Sequence, residues 1–407
     1  MSYLDYIVEE TKKILAIDSP SGYTKEVAEY VMAQYQALGY EPKMTTKGGI
    51  LVDLGGNDME NGVLLQAHID TLGAMVTEIK ANGRLRVSPI GGMNPNNAEA
   101  ENCRVITKFD GVYEGTFQLD NASVHVNGEY SKKSREYKEM EVVLDELVKD
   151  KEATKKLGIM PGDFVCFDPR CVVTESGFIK SRFLDDKLSV GILLGFAKYL
   201  KEENVTLERR VYQHITVYEE VGHGGAASVP AGVTEVISVD MGCVGEGLQC
   251  DETQVSICAK DSRGPYNYDV VTGLIKAAKE KNIDFAVDVY PYYGSDADVT
   301  LVAGHDLRHG LIGPGVHRVC GCQCNIRALR RLYGLSGGSP WCSRGSHDLS
   351  SARPRRTCAP SCCSCHRSSW VSQQEWTYTL GWRSIYHNPR ASLWSIFEDR
   401  LRDNRPR

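Results

Sequence analysis

The sequence predicts an α/β protein interrupted by a small β domain. Three observations carry that expectation. Apolar runs of strand length alternate with amphipathic helical stretches in residues 1–72 and again in 180–317, the pattern of a sheet covered by helices. Between them, from 73 to 179, short alternating runs and glycine turns replace the helices. Beyond residue 317 neither texture continues, and 318–407 reads as an aberrant tail.

The chain has 407 residues and 42% hydrophobic content, enough for a sizeable core and two or three domains. Its start, Met1-Ser2-Tyr3-Leu4-Asp5, has neither the basic nor the apolar region of a signal peptide. No apolar run approaches the length of a membrane span. A cytoplasmic enzyme is expected, with no membrane or nucleic-acid partner.

The elements follow in order. Leu4, Ile7, Val8, Ile14 and Leu15 have helical spacing. A second helix spans about 25–38, with Ser21 or Thr24 as its cap. A strand over 50–54 follows the Lys47-Gly48-Gly49 turn. The nearly continuous apolar run 62–67 suits a buried strand, and it ends in His68-Ile69-Asp70. Within 73–179, Asn82-Gly83 between alternating runs signals a hairpin. Further short strands fall near 103–107, 112–118 and 139–144, and the runs 162–167 and 177–180 close the section. The α/β pattern resumes at Asp185-Asp186, followed by a helix with Val190, Leu193, Leu194, Ala197 and Leu200 on one face. A β-branched run from Val211 to Val217 then stops at Glu219-Glu220 and a glycine turn. The strand 235–239 ends in Asp240. A helix (269–281), a strand (285–290) and Gly294-Ser295-Asp296-Ala297 complete the regular part.

His68/Asp70, Asp185, Glu219/Glu220 and Asp240 thus stand at four strand ends or helix starts. Singly, each reads as a cap, a hydrogen-bonded turn or a solvated pair. Together, at equivalent edges of one sheet, they point to a metal site, because open α/β sheets place ligands at such edges. Oxygen-rich ligation with one or two histidines suits zinc, cobalt or manganese better than a structural cysteine site. In an adjacent Glu-Glu pair, one carboxylate can bind a metal while the other takes a proton from water.

The tail differs in kind. Residues 318–407 hold all five tryptophans, eight of the 14 cysteines, 15 arginines, no lysine and five acidic residues. Their net charge is +10, which leaves −16 on the first 317 residues. Three readings compete: a basic nucleic-acid arm, a zinc site using Cys358, Cys362, Cys363, Cys365 and His366, or a frameshifted translation. The lack of paired, evenly spaced CxxC units and of helical or strand periodicity favours the frameshift.

Residues 3–317 resemble the glutamyl aminopeptidase or tetrahedral aminopeptidase family, some of whose members are called cellulase M. The resemblance rests on Ala67-His68-Ile69-Asp70, Leu184-Asp185-Asp186-Lys187, Tyr218-Glu219-Glu220-Val221-Gly222, Val239-Asp240 and Gly294-Ser295-Asp296-Ala297, in that order and spacing. It implies a mixed-sheet, zinc-peptidase-like catalytic domain (1–72 and 180–317) with an inserted β dimerisation domain (73–179). It also implies a metallopeptidase with two divalent ions, zinc or cobalt or manganese, cutting N-terminal residues from short peptides. His68 would bind one metal and Asp240 the other or its neighbour. Asp185 would bridge, Glu220 would be a ligand, Glu219 the general base, and Asp70 would orient His68. Relatives assemble as homo-oligomers, from dimers to dodecamers. They carry one further histidine ligand near the C-terminus; His317, after Gly313-Pro314, is the candidate here. Two other readings stand beside the peptidase. One is an amidohydrolase or deacylase on the same two-metal site, and the other is an inactive, frameshifted homologue.

Overall fold

The computed structural model describes residues 2–317 and the backbone of residues 323–325. The expectations for the tail, including the frameshift and the cysteine zinc site, lie outside the described residues.

Helices α1 (Tyr3–Leu15) and α2 (Lys25–Ala37) precede strands β1 (Lys43–Met44), β2 (Ile50–Gly55) and β3 (Asp58–His68). Next come β4 (Gly73–Ile79), β5 (Leu85–Ile90), β6 (Glu101–Ile106), β7 (Val112–Leu119), β8 (Met140–Leu144), the short helix α3 (Lys151–Lys155) and β9 (Phe164–Phe167). The pair β10 (Val172–Val173) and β11 (Phe178–Lys180) leads to α4 (Leu184–Glu202) and β12 (Arg209–Thr216). The chain continues through β13 (Val233–Val239), β14 (Gly242–Val244), β15 (Val255–Lys260), α5 (Tyr268–Glu280), β16 (Phe285–Val289), α6 (Asp296–Val302), β17 (Arg308–His317) and β18 (Gln323–Asn325).

Two sheet systems result. β4, β5, β8, β7, β6 and β9 close into a barrel, so the 73–167 stretch leaves no strand edge open. The other strands form a mixed sheet whose centre, β12-β3-β13-β17, is parallel throughout. Antiparallel β2 and β15 flank this centre. β10 and β11 join the large sheet, through β18, rather than the barrel.

The local chemistry explains the layers. Every residue of β3 from Gly62 to His68 is buried, as a strand covered on both faces must be. Helix α4 is buried nearly all round because it lies between β3 and α1. The closeness of α1 to α4 depends on Gly191, where an added Cβ would stand 2.2 Å from the Thr11 hydroxyl. Helix α1 begins with a reciprocal Ser2–Asp5 capping box. The cap expected for α2 differs. Thr24 holds the N-cap position without a side-chain bond, and Ser21 is engaged elsewhere.

Candidate metal and catalytic site

Register brings the predicted residues together. His68, the last residue of β3, pairs with Thr216 at the end of β12, and Ser238 of β13 pairs with Gln66. The parallel strands therefore end side by side, and the residues that follow, Asp70, Glu219, Glu220 and Asp240, share one edge. Asp185 comes from the start of α4, where the chain passes under β3.

The His68 ring fixes the centre. Its Nδ1 lies 2.9 Å from the Asp70 backbone carbonyl, so with the proton there Nε2 is left to accept. Nε2 faces Asp185 Oδ1 at 3.1 Å and Glu219 Oε2 at 3.5 Å. One ligand atom each from His68, Asp185 and Asp240 lie within 4.8 Å of one another. One imidazole nitrogen and carboxylate oxygens at this spacing suit a borderline divalent cation.

Electrostatics agree with that fit. Burial, with Asp185 beside it, pushes the Asp240 carboxyl up to about 7. Burial, opposed by His68 and reinforced by Asp296, Asp240 and Glu220, holds Glu219 well above the ordinary carboxylate range. Glu220 is raised by burial and then by Asp185. Burial disfavours the charged form of His68, yet Glu219, Asp185 and Asp70 outweigh it and raise its pKa. A cluster that leaves several carboxylates short of positive charge attracts cations.

Asp70 does more than orient His68. Its carboxylate is 3.6 Å from Nδ1, farther than its own carbonyl. Oδ2 accepts from Ser21 Oγ at 2.5 Å, and Oδ1 accepts the Glu219 amide at 3.1 Å. Burial works to raise the Asp70 pKa, but these bonds and His68 bring it below the ordinary range. Asp70 thus ties the histidine strand to the turn carrying Glu219. The Glu220 backbone packs beside the turn after β5: an added Cβ on Gly91 would stand 3.4 Å from Glu220 Cβ.

Sequence reasoning missed other supports. Asp186 Oδ2 accepts the His68 amide at 3.2 Å, so the second member of the Asp-Asp pair steadies the end of β3. Tyr293 donates to the carbonyl of Met241, next to Asp240, at 3.1 Å. Ser21 lies 49 residues from Asp70, and no local pattern announces such a contact. Of the five residues expected to bind metal, His68, Asp185 and Asp240 come together, and Glu220 and His317 stand outside that group. His317 closes β17 opposite Val244 of β14, and its Nδ1 stands 3.4 Å from Glu252.

Comparisons with known proteins bear on the family and the fold. The family model described as M42 glutamyl aminopeptidase matches residues 48–325. A Bacillus subtilis (strain 168) protein named "Putative aminopeptidase YhfE" is 44% identical over 309 residues, covering 76% of this chain and 89% of that protein. Among solved structures, an aminopeptidase of Desulfurococcus kamchatkensis superposes with a TM-score of 0.72 at 22% identity, over 81% of this chain and 93% of its own. The TET1 peptidase of Pyrococcus horikoshii, described as assembling into a tetrahedron or a large octahedral shell, gives 0.71 at 22% identity, over 80% and 96%. The deacylase alternative is not favoured. With the carboxylate-and-histidine edge already in place, these matches make the chain a member of the M42 glutamyl aminopeptidase family and a metal-dependent aminopeptidase.

Proposed function

We propose that the chain holds two divalent ions, zinc or cobalt or manganese, and removes N-terminal residues from short peptides. The observation carrying this reading is the convergence of His68, Asp185 and Asp240 within 4.8 Å, with Glu219 at 3.5 Å from the His68 Nε2. His68, Asp185 and Asp240 would hold one ion, and Glu220, whose raised proton affinity is caused in part by Asp185, would supply a carboxylate for the second. When bound, such ions supply Lewis-acid polarisation of the scissile carbonyl and acidify water. Glu219 takes the proton of the attacking water and delivers it to the leaving amine. Asp70 holds the Glu219 amide and, through its carbonyl, the His68 tautomer.

The test separates base from ligand. Glu219→Gln should lower kcat by roughly 10²- to 10⁴-fold while metal content, read by elemental analysis, is retained. Glu220→Ala should lose metal as well as turnover. Equal metal retention in both variants would contradict the division of roles.

The proposal extends to assembly and compartment. Homo-oligomers form through the inserted β domain (73–179), whose barrel exposes Phe109 and Val112 at the β6–β7 turn and Leu147 just after β8. Contiguous exposed apolar patches mark contact surfaces, and in this reading these three side chains contribute to one. Phe109→Glu with Leu147→Glu should shrink the particle seen by light scattering, and an unchanged large particle would count against this face. Among the described residues no helix is long and apolar enough to cross a membrane. The six described cysteines are free, which suits a reducing cytoplasm.

A further inference from the structure

The turn that carries Glu219 and Glu220 is held from behind by a carboxylate outside the ligand group. Asp296, the first residue of α6, is buried at 3% exposure. One of its oxygens accepts the Thr216 hydroxyl, immediately before the turn. The other accepts the Gly225 amide at 2.6 Å, immediately after it. A single side chain therefore joins the two limbs of the loop 217–224. The helix adds a second tie, since the Thr300 hydroxyl donates to the Gly225 carbonyl at 2.9 Å. On the outer side Lys47 donates to the carbonyls of His223 and Gly224, the latter at 2.9 Å.

The sequence of the loop fits this hold. An added Cβ on Gly224 would stand 2.5 Å from both Asp296 oxygens, and one on Gly225 would stand 2.2 Å from the Asp296 carbonyl. Gly224 leaves room for the carboxylate, and Gly225 leaves room for the first turn of α6 behind it. The loop also contains a non-glycine residue in the left-handed region, Tyr218 with φ of +71°, just before Glu219. Backbone of that kind persists where its surroundings over-determine it. The Tyr218 ring stacks on His223 at 5.0 Å, and Gly222 and His223 donate back to Glu219 and Tyr218. The internal bonds close the loop, while Asp296, Thr300 and Lys47 fix where the closed loop sits.

We infer that Asp296, with Lys47, is a positioning clamp that sets where the Glu219 carboxylate stands relative to the His68–Asp185–Asp240 group. Neither residue touches the reacting atoms. The inference rests on Glu219 as the base, and a displacement of about 1 Å in such a group can cost roughly a hundredfold in rate.

Hydrogen exchange of the full chain tests the clamp without requiring turnover. Asp296→Ala should speed amide exchange in the 217–226 segment by about tenfold or more, leaving β13 and β8 at wild-type rates. Asp296→Asn, which keeps an acceptor for Gly225 and a partner for Thr216, should exchange like wild type. Lys47→Met, at a partly exposed site that a folded protein tolerates, should loosen the same segment by a smaller factor; it carries the test if Asp296→Ala does not fold. In turnover assays with metal in excess, Asp296→Ala should lower kcat about tenfold to a hundredfold with KM within about twofold, and Asp296→Asn should recover most of the loss. If wild type is active and Glu219→Gln is as active, the base assignment fails, while the exchange data still read the clamp. Unchanged exchange in both Asp296→Ala and Lys47→Met, or Asp296→Asn as loose as Asp296→Ala, overturns the inference.

Discussion

The inserted barrel and the carboxyl edge of the large sheet both bury carboxylates, and they neutralise them differently. In the barrel, Glu141 is fully buried and meets Lys80 at 2.6 Å and Arg84. Where the barrel joins the sheet, buried Glu101 meets Arg182 and Arg170. At the sheet edge, Asp185, Glu219, Glu220 and Asp240 gather round one imidazole, and among the described residues no lysine or arginine forms an ion pair with any of them. A buried carboxylate with a cationic partner is a structural element. A group of them without one is a site for an ion from solution. Charge balance therefore separates scaffold from site here more sharply than burial does.

Two histidines on neighbouring strands sharpen the contrast, and they give the largest stability effect. His68 sits among carboxylates and its pKa is raised. His214, on β12, is 3% exposed, lies toward Lys47, and has a ring Nδ1 without a hydrogen-bond partner. Burial first, then Lys47, depresses it to about 4. The unfolded chain, with a histidine near about 6.5, takes up the proton first as pH falls. The His214 contribution is thus full above about pH 6.5 and is lost progressively toward pH 4, by about 3 kcal/mol at most. His214→Gln should flatten the fall of the urea midpoint in that window. Parallel curves for variant and wild type would remove His214 as the cause.

A smaller effect of opposite origin is expected in the barrel. Glu141→Ala leaves Lys80 and Arg84 without their buried partner. Both cations reach solvent, so the loss belongs at the low end for a broken buried pair, about 2 kcal/mol. Turnover per folded molecule should stay at the wild-type value, because Glu141 touches nothing at the sheet edge. A fall in kcat with unchanged stability would mean that the barrel and the site are coupled more tightly than their contacts imply.

Much of the site was legible in the sequence, for a specific reason. His68, Asp185, Glu219, Glu220 and Asp240 stand at or just beyond the ends of apolar strands or open a helix, so periodicity puts them at element ends, and the parallel register of β12, β3 and β13 brings those ends to one edge. The groups that hold them were not legible in that way. Ser21, Asp186, Lys47 and Asp296 act across long sequence separations, through contacts that exist only once the layers have packed. The glycine pair at 224–225 read as a turn, although Gly224 makes room for the Asp296 carboxylate and Gly225 for the Asp296 backbone carbonyl. Ser21 read as a helix cap because local chemistry permitted it, and tertiary packing gave its hydroxyl to Asp70. For the fold, strand positions were visible throughout 73–167, but the closure of six strands into a barrel depends on register that alternation does not specify.

The smallest predicted effect is the one whose sign tests the comparison. Asp240 is 4% exposed, next to Asp185, and accepts the Met241 amide at 2.6 Å. Asn has the same shape and no charge. With metals stripped by chelator at pH 8, Asp240→Asn removes like-charge repulsion from a buried group, which stabilises. It also weakens the bond from Met241 and buries an amide, which costs part of that gain. The net expectation is a stabilisation of about 1 kcal/mol, or roughly 2 °C in the melting midpoint of a chain this size. With saturating zinc the order should reverse. Metal that binds only the folded state stabilises it by an amount that grows with the logarithm of its affinity, and the variant has lost a ligand. Glu141→Ala should show no such crossing, being less stable than wild type under both conditions. If chelated Asp240→Asn melts below chelated wild type, the carboxylates at the sheet edge are neutralised from within the protein, and charge balance does not distinguish the two regions.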